Sequence, residues 1–266
     1  MNKHVIFWVG VKSNDDLLIE KHGNFQYLDV GRKSWEYWCK KNDVIFFPYE
    51  EALNSDTGKH KVTWQRWFDV FELLDKNNIN YNKIAVIDGS TIIRWDTPNF
   101  FDLCGDGLTA WRSLENLRWV SEGVTGYNKF FDGFDFDISK YISCGFQIFN
   151  KKHRPFLEMV KNFYYDNNEE ILRLQNKVVK RGTDQPVYNY LLQTENVNVD
   201  MSLPKSLFLT HLNRFDWFSH NWQLKEDNTP FFIKYGHIWF YSGFPQRGHR
   251  YDLMKQTWDG IKGMYV

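Results

Sequence analysis

The first half of the chain alternates between two hydrophobic patterns. Short apolar runs typical of buried strands recur between stretches in which apolar residues lie three or four positions apart. Strands are predicted at Val5–Val11, Phe25–Val30, Val44–Phe47 and Ile84–Asp88. Helices are predicted from Ser13 onward, at Ser34–Lys41 and at Lys61–Asp75. This alternation implies a parallel sheet with helices on its faces.

The second half is less regular and has no repeat or obvious linker. Helices are predicted at Pro98–Leu103, His153–Tyr165, Glu169–Lys180, Asp184–Gln193 and near Tyr251–Trp258. Strands are predicted at Leu108–Trp111, Tyr141–Phe149, Phe231–Ile233 and His237–Tyr241. We therefore expect a single α/β domain, in which residues 1–110 hold a nucleotide and residues 111–266 shape an acceptor site.

The strand Ile84–Asp88 ends in the triplet Asp88-Gly89-Ser90. In open α/β sheets, ligands bind at the carboxyl ends of the strands. Gly89 has no side chain and Ser90 has a short one, which leaves room for a phosphate or a metal close to the backbone. An Asp at the end of a strand is equally typical of a turn or a helix cap, so both interpretations stay open.

The balance of charges argues against two classes of partner. The 33 Lys and Arg residues equal the 33 Asp and Glu residues, so the whole chain has no electrostatic attraction for nucleic acid or anionic lipid. There is also no basic run, zinc-ligand spacing or nucleic-acid-binding module. No segment has the length of a membrane span or a signal peptide.

Aromatic residues are abundant, with 12 Trp, 14 Tyr and 23 Phe among 266 residues. Most of them are predicted to fill the core, and any surplus on the surface would suit the faces of sugar rings. Cys39, Cys104 and Cys144 lie far apart and show no metal or disulfide spacing, which fits a reducing compartment. We therefore expect a cytoplasmic protein, either of a microbe or, for a viral protein, of the host cell.

Further features stand in a fixed order around Asp88-Gly89-Ser90. Arg66 lies on the helix before this strand, and three motifs follow it: YISCGFQIFN at residues 141–150, GTDQP at 182–186 and HIWFYSGFP at 237–245. Over roughly residues 4–245, this order resembles the GT-A glycosyltransferases, which carry a DxD motif. The likeness is to their glycogenin-like and galactosyltransferase-like branches, and to glycosyltransferase-like proteins of large viruses and marine phages.

The resemblance implies a GT-A fold, a mixed sheet with helices on both faces. It also implies a hexosyltransferase-type activity, which moves a sugar from a UDP- or GDP-sugar to a hydroxyl of a glycan or glycoconjugate. In relatives, the DxD motif binds Mn²⁺ or Mg²⁺, which neutralises the leaving diphosphate. Here Asp88 matches the first Asp, but Ser90 replaces the last one and supplies no charge. Metal affinity is therefore expected to be lower than in relatives, or the enzyme uses no metal.

The resemblance also assigns donor-binding roles. Relatives often place a basic residue on the helix before the DxD strand, where it reaches the nucleotide sugar, and Arg66 matches it. A solvated helix-face charge is the alternative for Arg66. Asp88, Gly89 and Ser90 would contact the donor, as would Ser143 and Gly145, because small residues line the donor pocket of relatives. Gly145 also suits a bulge in a core strand.

Asp184 and Gln185 match the Asp-Gln element, whose side chains face the donor or acceptor sugar in relatives. Asp184 is the predicted catalytic residue, as a base for the acceptor hydroxyl, and Gln185 is predicted to bind the donor. The alternative is that Thr183 or Asp184 caps the following helix. Pro186 close to the start supports a helix beginning at this point.

Relatives complete the metal and diphosphate shell with a His that precedes a Gly-x-x-Lys-Pro-Trp element. Aligning Gly243 with that glycine places Phe240 where the His is expected. His237 lies three positions earlier and is the second candidate metal ligand after Asp88. The remaining candidates for the metal and the diphosphate are His211, His220 and Arg247.

Two other functions remain open beside glycosyl transfer. A non-catalytic carbohydrate-binding protein, descended from such an enzyme, would explain Ser90 and the missing His, and it would bind glycans without nucleotides. A phosphohydrolase would use Asp88 as its nucleophile, but such enzymes need a second Asp two residues later, where this chain has Ser90.

Overall fold

The computed structural model describes residues 2–12, 19, 25–113, 116–203, 208–209, 233–234, 236–242 and 249–266. The strands in chain order are β1 Lys3–Val9, β2 Ile45–Tyr49, β3 Tyr81–Asp88, β4 Thr91–Ile93, β5 Leu108–Arg112, β6 Ile142–Phe149, β7 Val199–Asp200, β8 Phe208–Leu209 and β9 Ile238–Phe240. The α-helices are α1 Tyr27–Lys41, α2 Val62–Lys76, α3 Leu117–Tyr127, α4 Arg154–Asp166, α5 Asn168–Arg173, α6 Gln185–Thr194 and α7 His249–Ile261.

Six strands form a mixed sheet in the order β2-β1-β3-β6-β5-β7, and β4, β9 and β8 form a second, small sheet. β1 is parallel to both β2 and β3, as the alternating pattern of the first half predicted. β6 runs antiparallel to β3 and β5. Ile87 pairs with Phe146, so the next positions in this register, Asp88 and Gly145, lie opposite each other.

Both faces of the large sheet are buried. Ile6 and Trp8 of β1 belong to one apolar cluster, which includes side chains of α1 and α7. Val5 and Phe7 belong to a second cluster, which includes side chains of α2, α4 and α6. Because successive side chains of a strand point to opposite faces, one strand supplies both clusters. The predicted mixed sheet with helices on both faces is therefore confirmed.

The strand predicted at Phe25–Val30 is wrong, because helix α1 begins at Tyr27. Its buried positions repeat every three or four residues along one face, and they include Tyr27, Gly31, Ser34, Trp35 and Trp38. In a window of six residues this pattern resembles the alternation of a strand. The helix predicted at Ser34–Lys41 is the second half of the same element.

Most other predicted elements are confirmed with shifted ends. The exceptions are Glu169–Lys180, which divides into α5 and a π-helical turn at Leu174–Val178, and Pro98–Leu103, which forms a 3₁₀ turn at Phe100–Leu103. α3, β4, β7 and β8 were not predicted. The predicted helix start at Ser13 lies outside the described residues. So does most of the strand predicted at Phe231–Ile233, of which Ile233 is described and is helical.

Aromatic side chains fill much of the interior, as predicted. Several of the largest are at most 2% exposed: Trp8, Trp35, Trp38, Trp64, Trp67 and Trp239. Cys39, Cys104 and Cys144 are also buried, as free thiols. Within the part of the chain that the structure describes, no helix is both long and apolar enough to span a membrane.

Candidate active site

The carboxyl end of β3 is held in place by backbone contacts. The Gly89 N–H donates to the carbonyl of Val9 at 2.9 Å, and the Thr91 hydroxyl donates to the carbonyl of Asp88 at 2.6 Å. A Cβ at Gly89 would lie 2.5 Å from the Val9 carbonyl oxygen, so only glycine fits there. Asp88 therefore leaves the sheet from a fixed turn.

Arg66 joins two carboxylates that lie far apart in the sequence. Its Nη1 donates to Oδ1 of Asp88 at 2.5 Å, and its Nη2 donates to Oδ2 of Asp184 at 2.9 Å. The side chains of Arg66 and Asp184 are each 4% exposed, whereas that of Asp88 is 28% exposed. Asp88 is thus the member of this triad that reaches the surface.

Asp184 directs its side chain into the triad and away from helix α6. Its Oδ2 also accepts the indole N–H of Trp67 at 2.7 Å, and its Oδ1 accepts the Thr183 hydroxyl at 2.8 Å. The side chain makes no capping hydrogen bond to α6. The carboxylate of Asp184 is therefore an internal counter-charge for Arg66, and the interpretation of this side chain as a helix cap is wrong.

The triad carries one guanidinium and two carboxyl groups in a buried setting. Burial raises the pKa of Asp88 above its usual 3.8, and the Asp184 carboxylate adds to this rise while Arg66 opposes it. Burial lowers the pKa of Arg66, but the two carboxylates outweigh it, so the net shift is upward. Arg66 is therefore a permanent cation, and perturbed groups of this kind cluster at functional sites.

Strand β6 brings the other residues that were predicted to bind the sugar donor close to Asp88. A Cβ at Gly145 would lie 3.5 Å from Oδ2 of Asp88, so the glycine keeps the space beside this oxygen open. The side-chain oxygen of Gln185 accepts the N–H of Cys144 at 3.0 Å, which fixes Gln185 against β6. The Ser143 hydroxyl accepts the N–H of Gly145 at 3.3 Å.

Ser90 turns inward, where the second sheet joins the site. Its side chain is buried, and its carbonyl accepts the N–H of Tyr241 at 2.9 Å. Thr91 pairs with Phe240 in the β4–β9 ladder, and the Phe240 ring lies 3.0 Å from the position that a Cβ at Gly145 would occupy. The residue beside the Asp88–Gly145 pair is therefore Phe240, as the sequence alignment on Gly243 indicated.

His237 directly precedes β9, whereas Tyr241 directly follows it. Its Nε2 is 3.3 Å from Nη2 of Arg94, and its carbonyl accepts the Arg94 N–H at 2.7 Å. Burial, helped by Arg94, lowers the pKa of this imidazole. His237 lies three positions before Phe240, which is about 10 Å along a strand, so the structure does not bring His237 to Asp88.

The described residues around Asp88 do not fit a resident divalent cation. One oxygen of Asp88 binds Arg66, Ser90 is neutral, and Phe240 offers no ligand atom. Mn²⁺ and Mg²⁺ prefer several charged or polar oxygen ligands. Among the residues that the structure describes, no group of three or more His, Cys, Asp or Glu side chains is placed to hold a metal ion. The sequence candidates His211, His220 and Arg247 lie outside those residues.

Sequence reasoning missed Trp67 and Arg250. The Arg250 guanidinium carbon lies 4.8 Å from the centre of the Tyr27 ring, and its Nε donates to the carbonyl of Tyr241 at 2.9 Å. Trp67 follows Arg66 directly, but neighbouring helical side chains point about 100° apart. No local pattern therefore shows that both residues reach Asp184.

Comparison with known proteins gives a structural match. No protein-family model and no curated protein sequence matches the chain. The fold is similar to that of a glycosyltransferase involved in the glycosylation of the major capsid of PBCV-1, with a TM-score of 0.54 and 11% identity, covering 95% of this chain and 99% of that chain. The chain therefore has the predicted GT-A-like fold of glycosyltransferases.

Two further solved structures are similar at lower scores. One is the galactosyltransferase LgtC in complex with donor and acceptor sugar analogs, with a TM-score of 0.45 and 12% identity over 97% of this chain and 99% of that chain. The other is mouse xyloside xylosyltransferase 1, with a TM-score of 0.46 and 10% identity over 92% of this chain and 100% of that chain.

Proposed function

We propose that this protein transfers a sugar from a nucleoside diphosphate sugar to an acceptor hydroxyl. The observation that carries the proposal is the buried Arg66 that joins Asp88 to Asp184 at the carboxyl end of β3. Burying such charges costs free energy, and an apolar core would be at least as stable without them. A GT-A-like fold that maintains this triad at its ligand-binding edge is best explained by donor binding.

The reaction exchanges one bond for another at the anomeric carbon of the donor. The acceptor oxygen attacks this carbon, and the bond from the carbon to the diphosphate oxygen breaks. The diphosphate leaves with the electron pair, and the acceptor proton passes to a base. Asp88, through its exposed oxygen, accepts hydrogen bonds from donor hydroxyls, while Gly145 provides the space for the sugar and Gln185 orients it.

Two roles are distinguished for Asp184. As the predicted base, it would take the acceptor proton, although its side chain is only 4% exposed and its oxygens already accept three hydrogen bonds. As a positioning residue, it holds Arg66, and through Arg66 it orients Asp88. The contacts support the positioning role more directly, and the two roles predict different kinetics.

A second candidate is a sugar-binding protein without catalysis. The observation in its favour is that Ser90 and Phe240 occupy the two positions at which related enzymes place metal ligands. Such a protein would bind glycans but no nucleotide. Hydrolysis of phosphoesters gains no support, because no acid follows Asp88 at the position such enzymes require.

The test is thermal stability against UDP, GDP, CDP and ADP, each with Mn²⁺ and with a chelator. A nucleotide at about a hundred times its Kd stabilises the folded state by ~2.7 kcal/mol, enough to raise Tm by a few degrees. We expect one of the four to raise Tm. If none does while a glycan raises it, the second candidate is correct, and if nothing does, both proposals fail.

A further inference from the structure

Glycosyl transfer from a nucleoside diphosphate sugar needs a cation at the leaving group, because negative charge develops on the diphosphate as the bond breaks. Metal-dependent enzymes meet this charge with a divalent ion. Around Asp88 the described residues do not form a site for such an ion. This inference rests on the proposed function and concerns what replaces the metal.

The space next to the outer oxygen of Asp88 is bounded by apolar rings. Phe240 is buried against Gly145, and its ring centre lies 5.0 Å from that of Trp111. An aromatic wall at this position supplies neither charge nor a lone pair to a dication. A dication on Asp88 would also lie close to the guanidinium of Arg66, which binds the same carboxylate and would repel it.

Arg66 itself is not available to the diphosphate. Its Nη1 and Nη2 each donate to a carboxylate, and its side chain is almost completely buried. Its Nε is buried too and has no hydrogen-bond partner within the described part of the chain. Arg66 therefore neutralises Asp88 and Asp184 from the inside, and the leaving group must meet another cation.

Arg250 is a second arginine near the same turn. It belongs to the first turn of α7 and is partly exposed. Its Nε is bound to the Tyr241 carbonyl, and the N–H of Tyr241 is bound to the carbonyl of Ser90. These two contacts connect Arg250 to the residue that replaces the last Asp of the DxD motif.

Tyr27 also contacts Arg250. The guanidinium carbon lies 4.8 Å from the centre of the Tyr27 ring, which limits the movement of the guanidinium, and Tyr27 begins helix α1. α1 packs directly on the turn after Asp88, since a Cβ at Gly31 would lie 2.5 Å from the Gly89 carbonyl oxygen. The positive charge of Arg250 also counteracts the burial that raises the pKa of Asp88, so the two groups are within electrostatic reach.

We propose that the enzyme works without a divalent metal, and that the guanidinium of Arg250, held by Tyr27 and Tyr241, binds the donor diphosphate beside Asp88. A guanidinium suits this task because its planar fork donates two parallel hydrogen bonds to phosphate oxygens. It is fixed before the reaction, so it stabilises the developing charge without rearrangement.

The test measures binding of inorganic pyrophosphate to the full chain by titration calorimetry. One series contains EDTA and the other contains Mg²⁺ or Mn²⁺. Because free pyrophosphate also binds these ions in solution, the affinities are corrected for that equilibrium. Equal affinity in both series is expected. Arg250→Gln is expected to weaken binding about ten- to a hundredfold, and Arg250→Lys to restore part of it.

Arg154→Gln is the matched control. Arg154 is a partly exposed arginine on α4 that pairs with Asp75 and Glu158, near the Tyr81 end of β3 and not the Asp88 end, and its replacement is expected to leave pyrophosphate binding unchanged. Because the Nε of Arg250 also holds Tyr241, Tm is measured for every variant. If Arg250→Gln does not fold, the wild-type comparison and Arg250→Lys still decide the question.

Each outcome separates this inference from the proposed function. Pyrophosphate binding that tightens tenfold or more with metal, by about 1.4 kcal/mol, overturns metal independence but leaves glycosyl transfer in place. Unchanged binding in Arg250→Gln overturns the role of Arg250. If the wild type binds neither pyrophosphate nor any nucleotide, with or without metal, the proposed function is overturned as well.

Discussion

Asp88 is the residue through which the buried triad meets solvent, since Arg66 and Asp184 are almost completely enclosed. Its outer oxygen faces Gly145, where a Cβ would lie 3.5 Å away, and its inner oxygen is fixed by Arg66. The position of one carboxylate thus depends on residues from three separate parts of the chain.

Asp88→Asn keeps the size of the side chain and removes its charge. We expect the nucleotide-induced rise in Tm to disappear. The variant should still unfold cooperatively, since Arg66 retains Asp184 and burial already disfavours the ionised form of Asp88. The measurement is a Tm series with and without the nucleotide that stabilises the wild type. An unchanged nucleotide affinity would show that Asp88 is not at the donor site.

Asp184→Asn tests whether Asp184 positions Arg66 or acts as a base. Removing one partner of a buried ion pair costs about 3 kcal/mol or more, so a loss of that size in the free energy of unfolding is expected. In the positioning role, nucleotide affinity falls together with kcat, whereas a base would lower kcat alone. Asp137→Asn is the control. Asp137 is partly exposed and caps the 3₁₀ turn Ile138–Lys140, a role that asparagine also fills, so stability should change by less than about 0.5 kcal/mol.

Part of the candidate site could be predicted from the sequence. Motif order pointed to Arg66, Asp88 and Asp184, and the structure brings these three together although 118 positions separate Arg66 from Asp184. The contact of Trp67 with Asp184 and that of Arg250 with Tyr241 depend on tertiary packing that has no local pattern. The alignment on Gly243 already placed Phe240 rather than His237 at this position, and the register of β9 against β4 agrees with it.

At the scale of elements, α1 shows how packing overrides a local pattern. Phe25–Val30 has the composition of a strand. In the structure, one helix instead continues through Gly31 to Lys41. Because Gly31 has no side chain, this helix can approach the backbone of Gly89 and Thr91. Gly31 is thus a contact point between α1 and the turn after Asp88.

Gly31→Ala is therefore expected to push α1 away from the site. The new Cβ would lie 2.5 Å from the Gly89 oxygen and 2.8 Å from the Thr91 oxygen, both of which are backbone atoms that cannot rotate away. We expect a destabilisation of about 1–3 kcal/mol, measured by denaturant unfolding, and weaker nucleotide binding.

Gly260→Ala is the matched control for this substitution. Gly260 also lies in a helix, α7, but nothing lies within 4 Å of its added Cβ. The better helix propensity of alanine is expected to stabilise the protein by up to about 1 kcal/mol. If both alanine variants were equally stable, the close contact of α1 with the turn would not matter to folding.

At the scale of the whole molecule, the insertion of antiparallel β6 between β3 and β5 creates the site. Hydrophobic periodicity predicted most of the strands and the parallel half of the sheet, because those signals are local. It could not predict which strands pair, since β3 and β6 are separated by more than 50 positions. This pairing places Gly145 opposite Asp88, so the proposed donor site depends on the order of strands in the sheet.

Burial of histidines predicts how the stability of the whole protein depends on pH. Burial lowers the pKa of His4, His153 and His237 below the usual 6.5. As the pH falls below about 6.5, the unfolded chain therefore binds protons that the folded chain does not, and stability decreases. Burial raises the pKa of Asp69. Such a rise has the opposite effect on stability at more acidic pH, because there the folded chain binds protons that the unfolded chain does not.

His153→Gln isolates one part of this pH dependence. Nδ1 of His153 accepts the N–H of Asn150 at 3.2 Å, in a capping box that glutamine also forms but without a titrating group. Between about pH 7 and pH 5.5, we expect the Tm of the wild type to fall more steeply than that of His153→Gln. The same scans at neutral pH serve as the control, since the two proteins should melt within a few degrees of each other. Parallel curves would mean that protonation of His153 does not oppose folding.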